Sequence, residues 1–117
     1  MTVLVIDDDL DQLAIRAELL RTCGFTAIEA AGREQARRLA ADHRPGCVVM
    51  DLNLPTKAEG LALIRELKKI DQSVHLIVLT GSDRKVLDNR AEASMVDAVL
   101  RKPAQSAQLI RTLKAYG

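Results

Sequence analysis

Short apolar runs alternate with segments of helical period along this chain, and that alternation constrains its fold more than any other feature. The runs are Thr2 to Ile6, about Thr26 to Glu29, Cys47 to Met50, Val74 to Leu79 and about Ala98 to Arg101. Unbroken apolarity over such short lengths suits strands covered on both faces, which is the situation of a parallel sheet. After the first run, Leu10, Leu13, Ala14, Ala17 and Leu20 keep helical spacing, with Gly24 where a helix would stop. Further helices are predicted at about Arg33 to Asp42, closed by Pro45 and Gly46, at about Ala58 to Ile70 and at about Arg84 to Ala93. The last runs from about Ser106 to Tyr116, with Ile110, Leu113 and Tyr116 facing inward. Five strands alternating with five helices predict an α/β fold, a doubly wound five-stranded parallel sheet with helices on both faces.

Right-handed crossovers bring the C-terminal ends of parallel strands to one edge of a sheet, and ligands bind outside that edge. The residues that end the runs then become neighbours: Asp7 and Asp8 after VLVI, Asp51 after CVVM, Thr80 after LIVL, and Lys102 shortly after AVL. Two unit charges about 5 Å apart repel by on the order of 3 kcal/mol at an effective dielectric near 20, so gathered carboxylates call for a cation. Mg²⁺ is the natural one, because it takes hard oxygen ligands and keeps waters that a phosphate can replace. Lys102 supplies a second positive charge, and Gly81 leaves space beside Thr80.

Each of these residues also has a plainer local duty. Acids at Asp7 to Asp9 can cap the following helix, and this reading is strongest for Asp9. Asp51 can start a turn before Pro55. Thr80 can serve as a β-branched strand residue, and Lys102 as a solvated loop lysine. Their joint placement at strand ends is what favours a site.

The rest of the composition mostly excludes. At 117 residues the chain makes one domain, and its 48% hydrophobic and 28% charged content is that of a globular protein. A formal net charge of +1 favours neither nucleic acid nor an anionic membrane. Phe25 and Tyr116 are too few for a base-stacking platform. Cys23 and Cys47 lack zinc-site spacing and are read as reduced packing residues. No leader pattern and no run near the roughly 20 apolar residues of a membrane span is present, so the expected location is cytoplasmic. His43 and His75 are read as surface or strand-end residues, and Arg33, Arg37 and Arg38 as a solvated basic stripe.

With VLVIDDD, MDLNLP around Asp51, LTG at Thr80 and RKP at Lys102 in this order, the chain resembles the receiver domain of two-component response regulators. The resemblance covers essentially the whole chain, so residues 1–117 are expected to form a single receiver domain with the flavodoxin-like strand order 2-1-3-4-5. It implies that Asp51 accepts a phosphoryl group from a phosphohistidine on a sensor histidine kinase or phosphotransfer protein. It also implies that Asp8 and Asp51 bind Mg²⁺ directly, that Asn53 contributes its backbone carbonyl, and that Asp7 acts through metal-bound water. Thr80 and Lys102 would each meet a phosphoryl oxygen. Such a domain is no enzyme in the ordinary sense: it assists its own phosphotransfer and slow autodephosphorylation, then changes partner binding. The family often has a cis peptide at the position of Pro103, and homodimerisation through the fourth helix, fifth strand and fifth helix is an option that only some of its members are expected to use.

Three departures concern output rather than chemistry. Val99 stands where the family commonly has a Tyr or Phe that swings inward, Ala104 follows Lys102-Pro103 where Phe is common, and the turn from Pro55 to Gly60 looks one residue longer. One alternative is a receiver-like interaction module that is never phosphorylated. Another is a phosphatase of the haloacid dehalogenase type, but that family places its nucleophile's strand first and needs an acid where this chain has Asn53. Flavin binding lacks a phosphate loop after the first strand. The chain stops just past its last helix, which suits a stand-alone regulator, a phosphorelay intermediate or an excised receiver equally.

Overall fold

The computed structural model describes residues 1–81, 84–88, 90–102 and 106–116. Among them five strands form one sheet: β1 (Thr2–Ile6), β2 (Thr26–Ala30), β3 (Cys47–Asp51), β4 (His75–Thr80) and β5 (Ala98–Arg101). Their order is β2-β1-β3-β4-β5, and every pairing is parallel. The expected doubly wound, flavodoxin-like sheet is therefore present.

Side chains alternate across each strand, so the sheet is a wall between two cores. Leu4, Ile6, Val48, Met50, Leu76 and Val78 enter one core, where α2 (Arg33–His43) contributes Ala36 and Ala40 and α3 (Lys57–Ile70) contributes Leu63, Ile64 and Leu67. Val3, Val5, Cys47, Val49, Ile77 and Leu79 enter the other, against Leu13, Ala17 and Leu20 of α1 (Leu10–Thr22) and Leu109 and Leu113 of α4 (Ser106–Tyr116). Both faces of the central strands are covered, which is why their sequences carry no polar interruptions.

Local signals set the helix ends. Asp9 caps α1, its carboxylate accepting from the amides of Asp11 and Gln12, and Gly24 follows the helix at a φ of 92°, a left-handed conformation that glycine reaches without penalty. Thr56 caps α3 through the amide of Glu59. Within α1, Leu10 and Ala14 are exposed, contrary to the stripe expected from spacing; the buried stripe is Leu13, Ala17 and Leu20. In α4, Leu109 joins Leu113 as the buried pair, while Ile110 and Tyr116 are half-buried.

The helix expected at about Arg84 to Ala93 is not an α-helix. Two short 3-10 turns, Arg84–Leu87 and Ala91–Met95, take its place, so the described residues hold four α-helices rather than five. Asp88 and Asn89 are poor helix formers at the centre of the segment, and Arg90 is extended. Leu87 is buried, Val86, Met95 and Val96 pack partly on the α2–α3 core, and the Glu92 carboxylate accepts from Arg65 of α3 at 2.8 Å. That bond holds the Glu92 carboxyl below its usual range. Any homodimer surface drawn through a fourth helix would therefore be built from these turns.

The basic stripe on α2 is not simply solvated. Arg33 reaches Glu66 of α3 at 2.5 Å and Arg37 reaches the same carboxylate at 2.7 Å, while Arg38 is exposed. Burial opposes the charge on Glu66, but the hydrogen bond from Arg33 and the positive charge of both arginines hold its carboxyl below the ordinary range. At the far end of the sheet, His75 stacks on Tyr116 with centroids 4.4 Å apart and lies 3.4 Å from Asp97. Cys47 is free and fully buried, and burial, with the charge of Asp97, pushes its thiol up to about 11. Cys23 is free and exposed. No helix among the described residues is long and apolar enough to cross a membrane.

Candidate functional site

Four neighbouring strands, β1, β3, β4 and β5, end at one edge of the sheet, and the residues singled out by sequence sit at those ends. Neighbouring strands lie roughly 5 Å apart. Asp7 directly follows β1, Asp51 is the last residue of β3, Thr80 the last of β4, and Lys102 follows β5. Asp7, Asp51 and Thr80 are buried, whereas Asp8 is exposed and opens the cluster to solvent.

Asp7, Asp8 and Asp51 each place a carboxylate oxygen within 4.8 Å of the others. An all-carboxylate set offers only hard oxygen ligands, with one member open to water, and that chemistry fits a hard divalent cation such as Mg²⁺. Asp51 is held at both oxygens: Oδ1 accepts the Asn53 amide at 3.1 Å and Oδ2 meets Lys102 Nζ at 2.5 Å. The Asn53 bond is the local turn duty foreseen for Asp51, and it coexists with the ion pair.

Lys102 must cross the end of β4 to reach Asp51, and the backbone prepares that reach. Its amide donates to the Thr80 carbonyl at 2.7 Å, which fixes the lysine directly beside β4. The Leu52 amide likewise donates to Leu79 O at 2.9 Å, tying the segment after Asp51 to the same strand. Beside Thr80, a Cβ added at Gly81 would meet nothing within 4 Å among the described residues, in keeping with the space expected there. Pro103 and Ala104, and with them the expected cis peptide, lie outside the described residues.

One member of the site escapes a reading of strand ends. Arg16 of α1 donates from Nη1 to Asp7 Oδ2 at 3.0 Å, while Asp7 Oδ1 accepts the Asp9 amide at 2.9 Å. Arg16 is six residues into the helix, about 9 Å from its start, but helical side chains lean toward the N-terminus and arginine is long enough to return to the acids. Its neighbour Ala17 is buried, which sets Arg16 at the edge of the apolar stripe. That position is a usable sequence signal: a cation flanking the buried face, two turns after an acid.

The model of the response regulator receiver domain family matches residues 3–114. Among curated relatives, the transcriptional regulatory protein PrrA of Mycobacterium tuberculosis is 36% identical over 115 residues, covering 97% of this chain and 48% of PrrA. The polar-differentiation response regulator DivK of Brucella anthropi is 27% identical over 117 residues, covering 98% of this chain and 94% of DivK. The chain thus spans about half the length of PrrA and nearly all of DivK. Of solved structures, a receiver domain from Methylobacillus flagellatus superposes with a TM-score of 0.87 at 25% identity, covering 100% of this chain and 98% of that one. Chemotaxis protein CheY4 of Vibrio cholerae, at 20% identity and a TM-score of 0.88 over 99% of this chain and 98% of its own, shares the fold.

Proposed function

Because the chain belongs to the response regulator receiver domain family of two-component signal transduction, we propose that residues 1–117 form a cytoplasmic phosphoacceptor switch that takes a phosphoryl group onto Asp51 from a sensor histidine kinase or phosphotransfer protein. The observation that carries this reading is the arrangement around Asp51: a carboxylate beside two others, with an ammonium at 2.5 Å from its Oδ2. In the transfer, the bond from phosphorus to the donor imidazole nitrogen breaks, its electron pair stays on that nitrogen, and an Asp51 oxygen forms the new bond to phosphorus. Phosphoryl transfer asks mainly for positioning and charge neutralisation, which these residues offer.

Asp8 and Asp51 would hold Mg²⁺ directly, with the Asn53 carbonyl, and Asp7 would act through a water; when bound, the ion adds positive charge beside the transferring oxygens. Lys102 would exchange its bond with the Asp51 carboxylate for one with a phosphoryl oxygen. The Thr80 hydroxyl would donate to another. Incubation with acetyl phosphate and Mg²⁺, followed by intact-mass and peptide analysis, is expected to place one phosphoryl group on Asp51, and excess chelator to prevent it. No adduct under generous donor, or steady hydrolysis of a phosphomonoester, would reverse the reading.

The output is expected to be muted. Val99 is half-buried against the α2–α3 core, where no ring can swing inward, and the 84–95 segment is tied to α3 by the Arg65–Glu92 pair. A ligand shifts an equilibrium only through its differential affinity for two states. Amide spectra with and without beryllofluoride should change around Asp51, Thr80 and Lys102 and little elsewhere. Large shifts throughout β5, α4 and the 84–95 segment would contradict this.

A further inference from the structure

We infer that Arg16 is a resident counter-cation of the acid cluster, which occupies Asp7 and sets the affinity of the site for Mg²⁺. The inference rests on the proposed metal-binding reading and extends it to a residue outside the strand ends. Three carboxylates face two cations here, Lys102 at 2.5 Å from Asp51 and Arg16 at 3.0 Å from Asp7, so the group carries one formal negative charge. Without Arg16 it would carry two. A divalent ion arriving at this edge therefore meets less attraction than the carboxylates alone would provide.

Two effects of Arg16 compete. Its hydrogen bond orients Asp7, which favours a metal-bound water; its charge repels the metal. Orientation has other support: Asp7 Oδ1 accepts the Asp9 amide at 2.9 Å, and the Asp7 amide donates to Ala30 O at 3.2 Å, so Asp7 keeps its place without the guanidinium. Among the described residues no other cation pairs with Asp7, and with the Arg16 side chain 12% exposed and Asp7 1%, the Arg16 charge is weakly screened. The electrostatic effect therefore dominates. The same burial makes an uncompensated charge at Asp7 costly to the fold, so a nearby cation, Arg16 or a metal, stabilises it.

Calorimetric Mg²⁺ titration and thermal unfolding with Mg²⁺ or chelator, on the full chain and on Arg16→Met and Arg16→Lys, test this. Arg16→Met keeps much of the apolar stem and removes the charge; its Mg²⁺ affinity should rise about fivefold, and its unfolding midpoint should depend more on Mg²⁺ than that of the parent chain. Arg16→Lys should remain within about twofold of the parent, because a cation is retained. Arg16→Met that folds only when Mg²⁺ is present would also support the inference. Affinity in Arg16→Met that is unchanged or weaker, or unfolding that Mg²⁺ does not relieve, would overturn it while leaving parent-chain binding, and so the metal-binding reading, intact. Absence of Mg²⁺ binding in parent and variants alike would remove both.

Discussion

Asp51→Asn is expected to abolish phosphoryl labelling by acetyl phosphate and Mg²⁺, lowering it by at least about a hundredfold, since an amide oxygen cannot replace a carboxylate as nucleophile. The substitution is nearly isosteric, and its carbonyl oxygen can still accept the Asn53 amide that Asp51 accepts at 3.1 Å. Nearby acids are poor substitutes. Asp7 is buried with both oxygens engaged, and Asp8, although exposed, has among the described residues no ion pair to match the 2.5 Å contact between Lys102 and Asp51. Stability should change little, by about 1 kcal/mol either way, because loss of the partly exposed Lys102 pair is offset by relief of repulsion among three close carboxylates. Circular dichroism would confirm the retained fold, and labelling of the variant at the parent's level would move the acceptor to another carboxylate.

Gly60→Ala should be the most damaging single-methyl change near the site. Gly60 lies in the first turns of α3, and a Cβ there would sit 1.7 Å from the Leu52 carbonyl oxygen and 2.7 Å from its carbon. Helix propensity alone predicts the opposite sign, since alanine improves on glycine by about 1 kcal/mol within a helix. Overlap wins because the opposing atoms are backbone: the Leu52 amide is bonded to Leu79 O at 2.9 Å, and Leu52 adjoins Asp51. Either α3 lifts away from the sheet or the end of β3 moves. A loss of about 3 kcal/mol or more is expected, a large part of the roughly 5–15 kcal/mol available to a domain, and chemical denaturation would measure it. Phosphorylation should slow as well, because the displaced residue is next to the acceptor. Gly32→Ala is the control: a Cβ there meets nothing within 4 Å, so it should cost about 1 kcal/mol or less.

Much of this arrangement is legible before any coordinates because its signals are short-range. Strands β1, β3 and β4 are apolar on both faces, the cap at Asp9 is a single side chain, and once strand order is granted the strand ends coincide. Other features depend on which residues meet across the fold. Leu10 and Ala14 fit helical spacing, yet α1 covers the sheet with a narrow stripe and leaves both outside. Arg33 and Arg37 look solvated until α3 presents Glu66 to them. The 84–95 segment has the apolar content of a helix, but Asp88 and Asn89 weaken its centre and Glu92 finds Arg65 instead. Arg16 is invisible to any reading that stops where the strands stop, because its contact with Asp7 depends on the lean of a side chain back along its helix.

Strand order also divides the chemistry into unequal foundations. The acids rise from β1 and β3, each flanked by strands on both sides, whereas the lysine hangs from β5, which among the described residues pairs with β4 alone. Outer strands loosen at lower energy than those sandwiched within a sheet. The negative half of the pocket therefore stands on bedrock and the positive half on the shoreline, so a fluctuation that withdraws the ammonium leaves the carboxylates where they were.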